Sequence, residues 1–164
     1  MGNNMNSFIL ILYVAIIIFF IYRLYKSFSN KKKLTGEIAG FNKKSSPLEW
    51  LLMGILLATG IVNFVAGYKQ HNQDSIIMAI IMVVLAIVFG FAQRSKLYIA
   101  ENGILINSNF YNYKQLKKWG FDKEGNDLVL QVKKDRQSSN EMMKVKAEDT
   151  EEINTLIRRY KLNK

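Results

Sequence analysis

Cysteine is absent from this chain, and histidine occurs once, at position 71. The first absence excludes disulfides, thiolate nucleophiles and sulfur-ligated metal. The second leaves too few imidazoles for a histidine-based metal centre. His71 sits in a short polar stretch, Gln70–Asp74, and is expected to be a solvent-exposed loop residue. A serine or cysteine nucleophile beside a base, a phosphate-cradling loop and a catalytic carboxylate pair are all missing. Glu148, Asp149, Glu151 and Glu152 do cluster, but at the start of a helical pattern, where capping and the helix dipole account for them. The expectation is a protein that is not an enzyme and needs no cofactor or metal.

Charge is missing where a membrane would forbid it. Phe8–Tyr22 is an unbroken apolar and aromatic run of 15 residues that Leu24 and Tyr25 extend, while Trp50–Tyr68 and Ser75–Gln93 each run 19 residues without a charge. About 20 apolar residues cross a bilayer core, so three transmembrane helices are expected. Arg23 can snorkel to the interface, and Trp50 and Tyr68 suit the two interfaces of the second span. The few polar residues between the second and third runs force these two to be antiparallel neighbours.

No lysine or arginine precedes the first run, and seven follow it: Arg23, Lys26, Lys31, Lys32, Lys33, Lys43 and Lys44. That distribution argues for an uncleaved anchor over a signal peptide. Arg94 and Lys96 follow the third run, whereas Lys69 stands alone at the hairpin between the second and third. Both comparisons place the N-terminus outside, the lysine-rich loop inside, the His71 hairpin outside and the C-terminus in the cytoplasm of a plasma-membrane protein. The expected organisation is an N-terminal span (1–25), a basic cytoplasmic loop (26–47), a helical hairpin (48–93) and a cytoplasmic domain (97–164). Lys31, Lys32, Lys33, Lys43 and Lys44 are candidate contacts for anionic lipid, although setting topology alone would also place them there.

Small residues recur at helix-packing spacing: Gly54, Ala58, Gly60 and Gly67 in the second span, and Ala79, Ala86 and Gly90 in the third. Asn63, the strongly polar residue deep in a span, is expected to hydrogen-bond to a neighbouring helix. Ionisable groups at the midplane and paired broken helices are missing, which disfavours a transporter or channel.

From Leu97 the period changes to alternation. Strands are expected at 97–100, 103–107, 109–113, 116–122, 128–132 and 142–146, with Glu101-Asn102-Gly103 a tight turn at positive backbone angles, a second turn at Lys123–Asn126, and a polar loop over 134–140. Ile153, Leu156, Ile157 and Tyr160 then form one apolar stripe on a closing helix, with Asp149 as its expected N-cap. The module carries 13 basic and 10 acidic residues, so most of the net charge of +10 lies elsewhere. With so small an excess, and with Tyr111, Tyr113, Trp119 and Phe121 alternating as core residues do, no nucleic-acid partner is expected.

The opening hairpin Tyr98–Ile104, the aromatic strand Phe110–Tyr113 leading to Leu116 and Trp119, and the helix entry Ala147–Ile153 resemble the PH-like domains of bacterial membrane proteins. In particular they are similar to an uncharacterised family that pairs such a tail with preceding transmembrane helices. The resemblance covers about the last 68 residues and implies antiparallel strands capped by a C-terminal helix, the usual seven strands against the six counted here. The expected fold class is thus three membrane helices plus a small α+β domain. A membrane-anchored interaction or scaffolding protein at the inner leaflet is the leading expectation, with membrane lipids, a protein of unknown identity and a second copy as partners. The alternative is an immunity or accessory factor for a membrane-active peptide or transporter, acting through the helices.

Overall fold

Apolar run length sets the first element, and polar residues at its C-terminal end lengthen it. In the computed structural model, which describes residues 2–122, 127–134 and 137–162, α1 covers Gly2–Lys31, about 45 Å at 1.5 Å per residue. α2 covers Pro47–Lys69 and α3 Gln73–Gln93. All three are long and apolar enough to cross a membrane. The chain divides into two compact units, one of residues up to Arg23 with Ser45–Gln93, the other of Leu24–Lys44 with Arg94–Lys164.

In the helical unit, α2 begins with a capping box that the sequence Ser46-Pro47-Leu48-Glu49 encodes. Ser46 Oγ accepts from the Leu48 amide at 3.3 Å, and Glu49 Oε2 accepts from the Ser46 amide at 3.1 Å. Asn72 caps α3 by accepting from the amides of Asp74 and Ser75. Between them His71 is exposed with φ 52°, closing the tight connection. The α2–α3 seam is built on glycine and alanine. A Cβ on Gly60 would lie 3.1 Å from Val83 Cγ2, one on Gly67 2.9 Å from Ser75 Cβ, and one on Gly90 3.1 Å from Met53 Sδ. Ala79 and Ala86 are buried opposite.

The second unit starts earlier in the chain than alternation suggested. The segment expected as a loop over 26–47 holds the last turns of α1 and a strand, β1 (Ile38–Asn42). Its partner is β2 (Lys96–Ala100), antiparallel, with Asn42 opposite Lys96 and Ile38 opposite Ala100. Then follow β3 (Gly103–Ile106), β4 (Asn109–Asn112), β5 (Leu116–Phe121), β6 (Asp127–Lys134), β7 (Gln137–Lys144) and α4 (Thr150–Leu162). Two antiparallel sheets result, of order β1-β2-β3-β4 and β5-β6-β7. The helical hairpin is thus inserted between two paired strands of one sheet.

Both sheets and α4 enclose one core of Phe41, Leu97, Ile99, Ile104, Ile106, Leu128, Leu130, Val132, Ile153 and Ile157 among others. Leu156 and Tyr160 flank it, so the expected stripe is the buried face of α4. Lys161 fastens the far end of that helix by donating to the carbonyls of Leu116 at 2.7 Å and Lys117 at 3.0 Å, its ammonium 4.9 Å from the Trp119 ring centre. Burial lowers its pKa from the ordinary lysine value.

Several local expectations are corrected. The expected polar loop over 134–140 is mostly β7, because Gln137, Ser138, Ser139 and Asn140 pair with β6 through backbone while both their faces stay wet. Asp135 and Arg136, in the middle of that loop, and the expected turn Lys123–Asn126 lie outside the described residues. The Glu101–Asn102 turn uses no positive φ; that conformation occurs one hairpin later, at Asn107 (49°) and Ser108 (69°). Asp149, the expected N-cap, stands just before α4 as the last residue of a 3-10 turn, Ala147–Asp149, through which the helix is entered.

Candidate functional site

Of the residues expected to matter in the helices, Gly60, Asn63, Gly67, Ala86 and Gly90 share the α2–α3 side, while Gly54 and Ala58 do not. At 100° per residue Gly54 and Ala58 stand about 120° and 160° from Gly60, and both are exposed. A Cβ on Gly54 would meet nothing. Asn63 donates across the seam to Met82 Sδ at 3.6 Å, a weak partner for an amide. It also faces an open groove of about 780 Å³ whose polar lining includes Ser7, Tyr13, Asn72, Asp74 and Ser75.

The β-domain offers a more ordered arrangement at one of its ends. Lys96 and Asn42 close the β1–β2 ladder there, and Lys44 and Arg94 each stand two residues beyond that pair. Lys44 donates its amide to the Lys144 carbonyl at 3.0 Å, which brings the end of β7 alongside. The β3–β4 turn, Asn107–Ser108, lies at the same end because β3 runs antiparallel to β2.

α1 reaches the domain at this end too. Asn30, buried, donates to the Ser108 carbonyl at 2.8 Å. The chain then crosses the outer face of the β1–β4 sheet. Lys31 Nζ lies 4.7 Å from the Tyr98 ring centre, and Leu34 packs with Ala100, Leu105, Tyr98 and Phe110 in a second small core. At the opposite end Asn102 clamps the strap, its Nδ2 donating to the Lys33 carbonyl at 2.7 Å and its Oδ1 accepting from the Thr35 amide at 3.1 Å. Tyr160 OH donates to Glu37 Oε2 at 3.2 Å and ties the strap to α4.

Lys33 therefore belongs with the far end of the β1–β2 ladder, Lys31 lies over Tyr98 part-way along it, and Lys44 belongs with the near end. Four residue steps of strand, about 13 Å, separate the two ends. Lys43 stands beside Lys44 but is engaged in an interaction of its own.

Glu141 closes the two sheets next to this end. Its Oε1 accepts from Tyr111 OH at 2.6 Å and from Asn109 Nδ2 at 3.2 Å, and its Oε2 from Asn107 Nδ2 at 3.0 Å. Asn107 Nδ2 also donates to the Met142 carbonyl at 3.0 Å. Burial, then the hydrogen bond to Glu141 and its charge, push the Tyr111 phenol well above its ordinary value. The network consists of neutral donors around one carboxylate and holds no nucleophile. Among the described residues no group of three or more His, Asp or Glu side chains stands close enough to hold a metal ion.

Sequence reading missed Glu141, Asn30 and Asn102, whose partners are 30, 78 and 69 residues distant. A spacing-based search has no access to such pairs; the one available signal was the strand alternation of Ile38–Asn42, hidden inside a charged stretch. No curated protein and no solved structure matches this chain. Residues 95–162, from just before β2 to the end of α4, match the model of a family described only as a domain of unknown function, DUF5673, which leaves β1 and the three apolar helices outside the match.

Proposed function

We propose that this chain is a non-enzymatic, membrane-anchored interaction protein whose β-domain is a PH-like module presented at the inner leaflet of the plasma membrane. The observation that carries this reading is the convergence of all three helix connections on one end of the domain. α1 arrives at Ser108, β1 leaves towards α2 past Lys44, and α3 returns at Arg94. Such triple attachment leaves the rest of the module, including β7 and the outward side of β5–β6, free to meet a partner. The division into four and three antiparallel strands with a closing helix supports the PH-like assignment, since β1 supplies the seventh strand. Fold alone does not select the partner.

The groove beside Asn63 supports a second reading, in which the helices themselves meet a membrane-active peptide or transporter. A photo-reactive residue placed at Met142, exposed on β7, or at Ile77, in the groove, separates the two. In cells, a protein adduct at Met142 with only lipid adducts at Ile77 is the expected result. A protein adduct at Ile77 and none at Met142 would transfer the function to the helices.

A further inference from the structure

We propose that Lys44, Arg94, Lys96 and Lys144 form a docking site for the phosphate headgroups of anionic phospholipid in the bilayer that the helices cross. The inference rests on the inner-leaflet reading above and names the surface and ligand chemistry it leaves open.

Topology alone explains three of these cations, because Lys44, Arg94 and Lys96 flank apolar helices closely. It does not explain Lys144. That residue lies 51 positions after Gln93, beyond the roughly 15–20 residues over which flanking charge sets orientation. The fold, and not the insertion rule, carries it to the end of the domain where the helices attach, through the Lys44 amide bond to its carbonyl.

All four side chains belong to exposed residues, and none has an ion-pair partner among the described residues. The carboxylate registered against them is Asp127, opposite Lys144 in the β6–β7 ladder, and its Oδ1 is turned inward and buried. Asp122, whose amide donates to the Asp127 carbonyl, and Glu141, engaged by Asn107, also stand by this end, so four cations face three carboxylates and the local excess is one positive charge. Phosphodiester oxygens match it: they accept charge-assisted hydrogen bonds from ammonium and guanidinium alike, and in a bilayer they form a plane.

Lys32 and Lys33 serve as the internal control. They carry the densest charge in the sequence yet follow α1 across the sheet to the Asn102 end. The strand length between the two ends, about 13 Å, exceeds the Debye length of about 8 Å at physiological salt.

The full-length chain in phosphatidylcholine nanodiscs containing a minor fraction of phosphatidylglycerol would be probed with spin-labelled lipids of each headgroup. Wild type is expected to favour phosphatidylglycerol, and Lys144→Gln to lower that preference about two- to five-fold. Added salt lowers it too, while Lys144→Arg and the pair Lys32→Gln/Lys33→Gln keep the wild-type value. Equal preference in wild type and Lys144→Gln overturns the site. So does an equal fall in the Lys32/Lys33 pair, or a fall in Lys144→Arg matching that in Lys144→Gln. Any of these three failures with the Met142 protein adduct intact removes this lipid site alone; loss of the Met142 adduct removes the interaction reading instead.

Discussion

Glu141 accepts hydrogen bonds from Asn107, Asn109 and Tyr111, and so joins the β3–β4 hairpin to β7 through one carboxylate. Its titration consequence runs through Tyr111. A free tyrosine ionises near pH 10, and the folded phenol resists ionisation because burial and the adjacent carboxylate both oppose a second negative charge. Below about pH 10 the phenol is protonated in both states and the bond contributes fully. Above it the unfolded chain releases a proton that the folded chain retains, so stability falls as pH rises towards the folded value. Tyr111→Phe is expected to cost about 1–3 kcal/mol at neutral pH, as for a hydrogen bond to a charged group. The variant should then lose less than wild type between pH 9 and 11, although Tyr113, also raised by burial, keeps some of the slope. Thermal melts of the detergent-solubilised chain followed by circular dichroism measure both; parallel pH profiles would count against the coupling.

Gly103 illustrates what one residue type can conceal. An Asn-Gly pair after a strand suggests a turn at positive φ, and the position of that turn agrees with the chain. The glycine serves a different need: a Cβ there would collide with the Tyr111 carbonyl and the Phe110 ring. Asn102 meanwhile spends its side chain on the strap at Lys33 and Thr35.

Among the elements, the amphipathic helix and the three apolar helices were legible because each rests on a pattern within one window of sequence: the Ile153/Leu156/Ile157/Tyr160 stripe and three uncharged runs. β1 was not legible. Its five residues pair with β2 across more than 50 intervening positions, and of its side chains Phe41 alone is fully buried. β7 escaped for the related reason that Gln137–Asn140 pair through backbone and show no apolar alternation. The insertion of α2 and α3 between β1 and β2 makes a direct prediction. Asn42 and Lys96 are paired, so residues 45–93 are replaceable by a short Asn-Gly-containing turn. The product, 33–44 joined to 94–164, is expected to be soluble and to give a dispersed amide spectrum, whereas 95–164 alone leaves the β2 edge and Leu97 uncovered and should aggregate or exchange rapidly. Equal dispersion from both would mean that β1 adds little to the domain.

For the whole molecule, the compact β-domain unit contains the last turns of α1, the approach to α2 and the chain leaving α3. If the three helices cross a membrane, those three ends must share a side, and the α2–α3 connection at His71 must lie on the other, independently of any charge count. Charge then chooses which side is which. Nine basic residues flank the domain-side ends, Arg23 to Lys44 with Arg94 and Lys96, against Lys69 alone at the hairpin. By the positive-inside rule this excess is expected to put the β-domain on the cytoplasmic side, as proposed above. Because the chain has no cysteine, one introduced thiol reports its own location without background. His71→Cys should react with a membrane-impermeant maleimide in intact cells, and Ser139→Cys, exposed on β7, only after the membrane is opened. Reaction of both in intact cells, or of neither, would break the parity of three crossings. Reaction of Ser139→Cys alone would keep the parity and reverse the orientation, and with it the leaflet that Lys44, Arg94, Lys96 and Lys144 could meet.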